Sequence, residues 1–139
     1  MKNLLFPFLF ALLAIQGLQL TANASPVSEC AIEATNNGFP EMSAVQLCQY
    51  ATSSAPAECA IQANRNEFSI PEAVTLCTYA TSTAPADCAI LANDNGITSD
   101  HAVDLCQQAT SNGPANCAID LGRNGYDIDA AVQLCRSEH

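Results

Sequence analysis

Small and apolar residues recur along this chain with a period of 29 residues. The recurrence covers an Ala-Ile pair after one cysteine, a central asparagine, and an Ala-Val-x-Leu motif before the next cysteine. A pattern that returns at fixed spacing in four units indicates tandem structural repeats. The recurring cysteines are Cys30, Cys59, Cys88 and Cys117 in the first half of each unit, and Cys48, Cys77, Cys106 and Cys135 in the second half.

The pattern within each unit predicts two helices joined by a tight turn. In the second unit, the apolar residues of 59–63 and of 73–80 fall at three- and four-residue spacings, which place them on one helix face. Asn66 ends the first helix, and the next position is glycine in the other three units, as a left-handed cap requires. Ser69 and Glu72 fit a capping box that opens the second helix. Strands are disfavoured because alternation is absent.

The repeats are expected to stack into one all-α domain over residues 25–139. A 29-residue unit buries too little surface to fold alone, and only a few residues join one unit to the next. Short connections favour antiparallel packing of neighbouring helices. The sequence therefore predicts a short α-solenoid of four tandem disulfide-stapled helical hairpins. The repeats span approximately residues 25–53, 54–82, 83–111 and 112–139.

Eight cysteines in an exported chain of this size predict a disulfide framework. Hairpin geometry allows bonds within each repeat or across the connection between repeats. Pairing between repeats would strand the first and last cysteines, whereas pairing within repeats uses all eight, so we favour the latter. A thiolate metal site is the rival hypothesis, although close Cys-x-x-Cys pairs are absent. The favoured disulfides are Cys30–Cys48, Cys59–Cys77, Cys88–Cys106 and Cys117–Cys135.

The N-terminus predicts a signal peptide over residues 1–24. Lys2 precedes an apolar run from residue 4 to residue 15, and Ala22-Asn23-Ala24 fits a small-residue cleavage site. The alternative, a single membrane anchor, is disfavoured because the apolar run is shorter than a span of about 20 residues. We therefore expect a secreted or extracytoplasmic protein, either extracellular or periplasmic, without a membrane span in the mature chain.

Residues 25–139 are strongly acidic, with all fourteen Asp and Glu residues against three arginines. Nucleic acid and anionic membranes repel such a chain, so we expect neither of them as a partner. A partner that reads this charge would be cationic, neutral or a metal ion. The alternative interpretation is that the charge only keeps an alanine-rich chain in solution.

The sequence offers little material for catalysis, and we expect no enzyme activity, catalytic residue, cofactor or built metal site. His101 is expected to be a surface residue of a second helix, because no partner for general-base chemistry is indicated. Residues 120–131 echo a calcium-binding loop, but Gly122 and Ala131 stand where that loop needs oxygen ligands. Weak calcium association with the acid-rich turns is kept as an alternative.

Two tyrosines occupy equivalent positions near the ends of the first two repeats. Tyr50 and Tyr79 follow the second cysteine by two residues, on roughly the opposite side of the helix. They could be exposed binding groups or could pack into the seam between repeats. We expect packing, because large side chains usually find cover.

The repeat pattern, with C-A-I in its first half and A-V-x-L-C in its second, resembles secreted helical-hairpin repeats with one disulfide per hairpin. It is more loosely similar to the helical pairs of Sel1-like and tetratricopeptide solenoids. The 29-residue period is shorter than theirs and their signature residues are absent. The resemblance therefore implies the architecture and assigns a function to no residue.

The expected function is a secreted, non-enzymatic protein-interaction module that presents a repeated acidic helical surface to another protein or extracellular component. One row of diverging positions on this surface comprises Glu33, Gln62, Leu91 and Asp120. Two alternatives are a structural component of a cell surface, matrix or filament, and a secreted effector or toxin-like protein. The terminal repeats differ from the middle ones, as capping repeats would.

Overall fold

The structure is a computed structural model that describes residues 23–138. The signal peptide predicted for residues 1–24 falls outside this range except for its last two residues. Residues 23–138 form eight helices and no strand, which confirms the expected all-α fold. The helices are α1 (Pro26–Asn36), α2 (Glu41–Cys48), α3 (Ala55–Arg65), α4 (Ile70–Cys77), α5 (Ala84–Asp94), α6 (Ser99–Cys106), α7 (Gly113–Arg123) and α8 (Ile128–Cys135).

The helices pack in two layers, as a short α-solenoid does. The A helices, α1, α3, α5 and α7, lie side by side in one layer, and the B helices, α2, α4, α6 and α8, lie side by side in the other. Each A helix also packs against the B helix of its own hairpin. Equivalent positions of the four hairpins therefore line up along the molecule.

One disulfide joins the two helices of each hairpin. Cys30 is bonded to Cys48, and the same pairing within the repeat occurs in the other three hairpins, with Cα–Cα distances of 5.6–5.7 Å. All of these cysteines are fully buried except Cys117, which is half-buried because no hairpin follows it. The bonds thus form a ladder that links the A layer to the B layer along the core.

Alanine supplies most of the core around this ladder. Ala57, Ala60 and Ala63 on α3 are fully buried, and their counterparts on α5 are buried as well. Such small side chains let neighbouring helices approach closely, but each removes little apolar surface from water. The larger core groups are Leu47, Leu105 and Phe68, which are buried where the hairpins meet.

Each A helix ends in a hydrogen-bonded turn into the B helix, which is a complete Schellman motif in the first, third and fourth hairpins. In the first hairpin, the amide of Phe39 donates to the carbonyl of Ala34, and the amide of Gly38 donates to the carbonyl of Thr35, both at 3.1 Å. Gly38 has a φ of 91°, the left-handed value predicted for this position. In the second hairpin Glu67 adopts φ 74° instead. Phe39 is buried, which anchors the turn.

Local side chains hold the starts of some of the helices. Ser69 and Glu72 form the capping box predicted for the start of α4. The connections between hairpins use a different device, in which a serine hydroxyl accepts a hydrogen bond from the amide two residues later. This bond recurs at Ser53, Ser82 and Ser111, with distances of 3.1–3.2 Å.

The terminal hairpins, whose sequences differ from the middle ones as those of capping repeats would, expose apolar side chains at both ends of the solenoid. Val27 and Ile32 of the first hairpin are 41% and 56% exposed, and Leu134 of the last hairpin is 60% exposed. The equivalent side chains of the hairpins inside the molecule are buried or half-buried. Within residues 23–138, no further hairpin covers these positions at the two ends.

Two Gly→Ala substitutions should change stability in opposite directions. Gly96 has a φ of 88°, so Gly96→Ala should lower the free energy of unfolding by about 1 kcal/mol. Gly122 lies within α7 and nothing lies within 4 Å of an added methyl group, so Gly122→Ala should raise it by about 1 kcal/mol. Urea unfolding followed by circular dichroism measures both. Changes of the same sign would contradict this assignment of the turn.

Candidate functional site

The outer side of the A helices carries two neighbouring grooves. The first lies between α1 and α3 and has a volume of about 360 Å³. The second lies between α3 and α5, extends to the start of α7, and has a volume of about 580 Å³. Gln62 and Asn66 line both grooves, so the two are continuous across α3.

The two grooves are built from the same repeat positions. Glu33, Glu58 and Arg65 line the first groove, and their counterparts one repeat later, Gln62, Asp87 and Asp94, line the second. The predicted row of diverging residues therefore enters the grooves. Glu33, Gln62 and Leu91 are half-buried in them, whereas Asp120 is exposed beyond them.

The first groove holds unrelieved negative charge. Desolvation raises the pKa of Glu33 above its ordinary value of 4.5, and repulsion from the Glu58 carboxylate adds to the shift. Arg65 is the one basic side chain that lines either groove, and its Nη2 donates to Asn37 Oδ1 at 3.1 Å. In the second groove Gln62 Nε2 donates to Asp87 Oδ1. A cationic group would find carboxylates in both grooves.

The recurring asparagines serve the fold and edge the grooves. The side-chain amide of each donates to the carbonyl four residues earlier, at 2.8–2.9 Å, and so caps the end of its A helix. The amide oxygen points away from this bond, and at Asn37 it accepts from Arg65. The sequence showed the recurrence but not this division of roles. The residues are Asn37, Asn66, Asn95 and Asn124.

The expectation that Tyr50 and Tyr79 pack into the seam is wrong. Both side chains are exposed, by 59% and 60%, and their rings stack on each other with centroids 5.4 Å apart and an angle of 16° between planes. The lateral packing of hairpins brings the equivalent positions to stacking distance, so each ring covers one face of the other. The other faces stay exposed. Gln108 ends the row because the third repeat has no aromatic residue there.

His101 bridges two B helices. Its Nδ1 lies 2.8 Å from Thr98 Oγ1, and its Nε2 lies 2.9 Å from Asp129 Oδ1 in the next hairpin. Thr98, His101 and Asp129 are linked in the same order as the nucleophile, the base and the orienting carboxylate of a catalytic triad. One repeat earlier, however, Glu72 occupies the equivalent position and also links its own helix cap to the next hairpin, through Ser69 and Ser99. The arrangement is therefore a polar link between the B helices of neighbouring hairpins, and it recurs with a different side chain at the central position.

Glu72 makes the corresponding link between α4 and α6. Its Oε2 accepts from the amide and the hydroxyl of Ser69 at 2.7 and 2.6 Å, and its Oε1 accepts from the hydroxyl of Ser99 at 2.6 Å. The Ser69 hydroxyl, followed by Ser99 and the Ser69 amide, holds the pKa of this carboxyl below 4.5. The carboxylate thus caps α4 and ties it to α6.

The cysteines and acids offer no ready metal centre within residues 23–138. All eight cysteines are in disulfides, so the rival thiolate site has no ligand there. In the same range, no three His, Cys, Asp or Glu side chains are grouped closely enough to hold a metal ion. The two grooves therefore offer carboxylates and amides, without a grouped set of metal ligands among the described residues.

Comparisons with protein-family models, with curated proteins and with solved structures find no match to this chain. Across the described part of the chain, no helix combines the length and the apolar character that crossing a membrane requires. The surface features that bear on function are therefore the grooves, the tyrosine pair and the apolar side chains exposed at both ends of the solenoid.

Replacing the Glu72 carboxylate should change how stability depends on pH. Because the folded-state pKa is lowered, ionised Glu72 adds stability above pH 4.5, and this is lost as the pH falls through the lowered value. Glu72→Gln should therefore lower the free energy of unfolding by about 1 kcal/mol at neutral pH and leave it nearly unchanged in strong acid. Urea unfolding at a series of pH values measures this.

Glu41→Gln is the matched control for the charge in the first turn of a B helix. Glu41 begins α2, whose preceding residue is Pro40 and whose start has no side-chain cap. This variant isolates the interaction of a carboxylate with the helix dipole. An equal pH dependence of the two variants would contradict a special role for the Glu72 hydrogen bonds.

Proposed function

We propose that this protein is a non-enzymatic, extracytoplasmic interaction module whose grooved A-helix face binds a cationic segment of another protein. Four intrachain disulfides are typical of proteins that work in an oxidising compartment. The observation that carries the proposal is the recurrence of one acid-lined groove at the same repeat positions.

The charge of the first groove supports a cationic occupant. Burial and the nearby Glu58 carboxylate both oppose ionisation of Glu33. A Lys or Arg side chain placed between these two carboxylates would attract both and offset their repulsion. Arg65, which lines the same groove, donates to the amide oxygen of Asn37 and forms an ion pair with neither carboxylate. The groove therefore favours a positive charge at a defined place.

The spacing of the grooves favours an extended segment. Neighbouring packed helices lie about 8–10 Å apart, and the two grooves are offset by one A helix. An extended chain advances about 3.3 Å per residue, so one groove is reached about every third residue. A segment with a basic residue at every third position would place one cation in each groove. The half-buried Ile90 and Leu91 would contact the residues between.

A structural role is the second candidate, and a separate observation favours it. Both ends of the solenoid expose apolar side chains at positions that are covered inside the molecule. Those end faces are distinct from the grooves, so the two functions are compatible and are tested separately.

A labelled peptide with arginine at every third position should bind the A-helix face. Each exposed ion pair contributes about 0.2–1 kcal/mol, so the double variant Glu33→Gln/Glu58→Gln, which removes two such pairs, should weaken binding about two- to thirtyfold. Arg65→Gln removes the groove's own cation and should strengthen binding. Affinity should fall as salt is added. Fluorescence anisotropy measures all three effects.

The control is the double variant Glu41→Gln/Asp104→Asn, which also removes two charges, from B helices away from the grooves. It should bind the peptide almost as the unaltered protein does. An equal loss of affinity in this variant would show that only net charge matters. No binding of the peptide at low salt would contradict the proposed function.

A further inference from the structure

The first and last hairpins show which repeat positions face which neighbour. Val45 in the first hairpin is 53% exposed, whereas Val132 at the same position in the last hairpin is 3% exposed. Among the described residues, 23–138, the last hairpin has a neighbour before it and the first has none. The valine side chain at this position therefore packs against the preceding hairpin.

Two further positions follow the same rule. Ile32 is 56% exposed, but Ile61, one repeat later, is 8% exposed, and the isoleucines at this position in the last two hairpins are half-buried. Val27 is 41% exposed, but the prolines that replace it in the other repeats are fully buried. Val27, Ile32 and Val45 together form an apolar surface, the N-terminal end face, which has the composition of an internal surface of the solenoid.

The last hairpin exposes the opposite half of the same interface. Leu134 is 60% exposed, whereas Leu47 at its position in the first hairpin is fully buried. Tyr126 is 54% exposed, whereas Phe39 at its position is 3% exposed. These side chains pack against a following hairpin wherever one exists. Leu134 and Tyr126 form the C-terminal end face.

The two end faces are therefore the two halves of a contact that the molecule already makes three times. At each internal junction, an A helix meets the next A helix and a B helix meets the next B helix. The leucine and aromatic positions of one hairpin meet the valine and isoleucine positions of the next. A second copy of the chain offers the missing half at either end.

We propose that copies of this protein associate head to tail, with the C-terminal end face of one copy seated on the N-terminal end face of the next. This contact joins two different surfaces, so the assembly always keeps one unoccupied face at each of its two ends. Repetition then produces an open chain of copies that continues the solenoid. The proposal is independent of peptide binding to the grooves.

One pair of charges opposes this junction and gives it a distinctive salt dependence. Glu33 and Glu58 repel each other across the first internal junction. Asp120 and Glu29 occupy the corresponding positions at a junction between copies, and Arg123, whose Nη1 lies 3.8 Å from Asp120 Oδ1, offsets part of their repulsion. Salt screens such repulsion, so assembly should strengthen as salt is added, whereas peptide binding to the grooves should weaken.

Two single variants test the polarity of the contact. Val45→Asp places a charge on the N-terminal end face, and Leu134→Asp places one on the C-terminal end face. Both side chains are exposed in the single copy, so the fold should tolerate them. In sedimentation velocity over about a hundredfold range of concentration, the unaltered protein should form growing oligomers and each variant alone should stay monomeric. An equimolar mixture should form a dimer and no larger species.

The experiment uses protein recovered from an exporting host, with its N-terminus defined by intact mass. Tyr79→Gln is the control, because it removes an exposed aromatic residue away from both end faces and should leave assembly unchanged. Circular dichroism and intact mass verify that each variant keeps its helices and disulfides.

Three outcomes would overturn the proposal. The first is an unaltered protein that stays monomeric throughout the concentration range in high salt. The second is a mixture of Val45→Asp and Leu134→Asp that stays monomeric. The third is a dimer formed by either variant alone, since that would require two identical faces to meet. A monomer destabilised by Val45→Asp would indicate that another segment of the same chain covers the N-terminal end face.

Discussion

The disulfide between the two helices of each hairpin is the constraint on which the rest of the structure depends. The A helices have 11 residues and the B helices have 8, which is too short for stability alone, since isolated helices need about 12–15. Their mutual core is mostly alanine, which buries little apolar surface. Each bond closes a loop of 18 residues and contributes roughly 3 kcal/mol in the chain-entropy model. Four such bonds are comparable to the whole net stability of a small domain.

Repetition converts this local constraint into surfaces of defined chemistry. Because the hairpins stack in register, a carboxylate at one repeat position becomes a row, and two rows enclose the grooves on the A helices. The stacked rings of Tyr50 and Tyr79 arise in the same way on the other side of the hairpins. The end faces are the unpaired halves of the internal junction. One rule of packing thus generates a lateral binding surface and an axial assembly surface.

The features that the sequence predicts well are those set within one hairpin. The helices, the left-handed turn at Gly38 and the capping box of Ser69 depend on neighbours a few residues away, and the structure has them all. The exposed tyrosine pair, the grooves and the apolar ends depend on how one hairpin sits on the next. No local pattern encodes that placement. A comparison of Val45 with Val132 shows why, since identical residues have opposite exposure at the two ends.

The central claim is that the disulfides, more than the alanine core, hold the hairpins together. Circular dichroism of the protein before and after reduction and alkylation of its cysteines tests this most directly. The account predicts that the reduced, alkylated chain loses most of its helical signal at 25 °C, because short helices without cross-links do not persist in water. A reduced chain that kept its helical signal and a cooperative unfolding transition near that of the oxidised protein would contradict it.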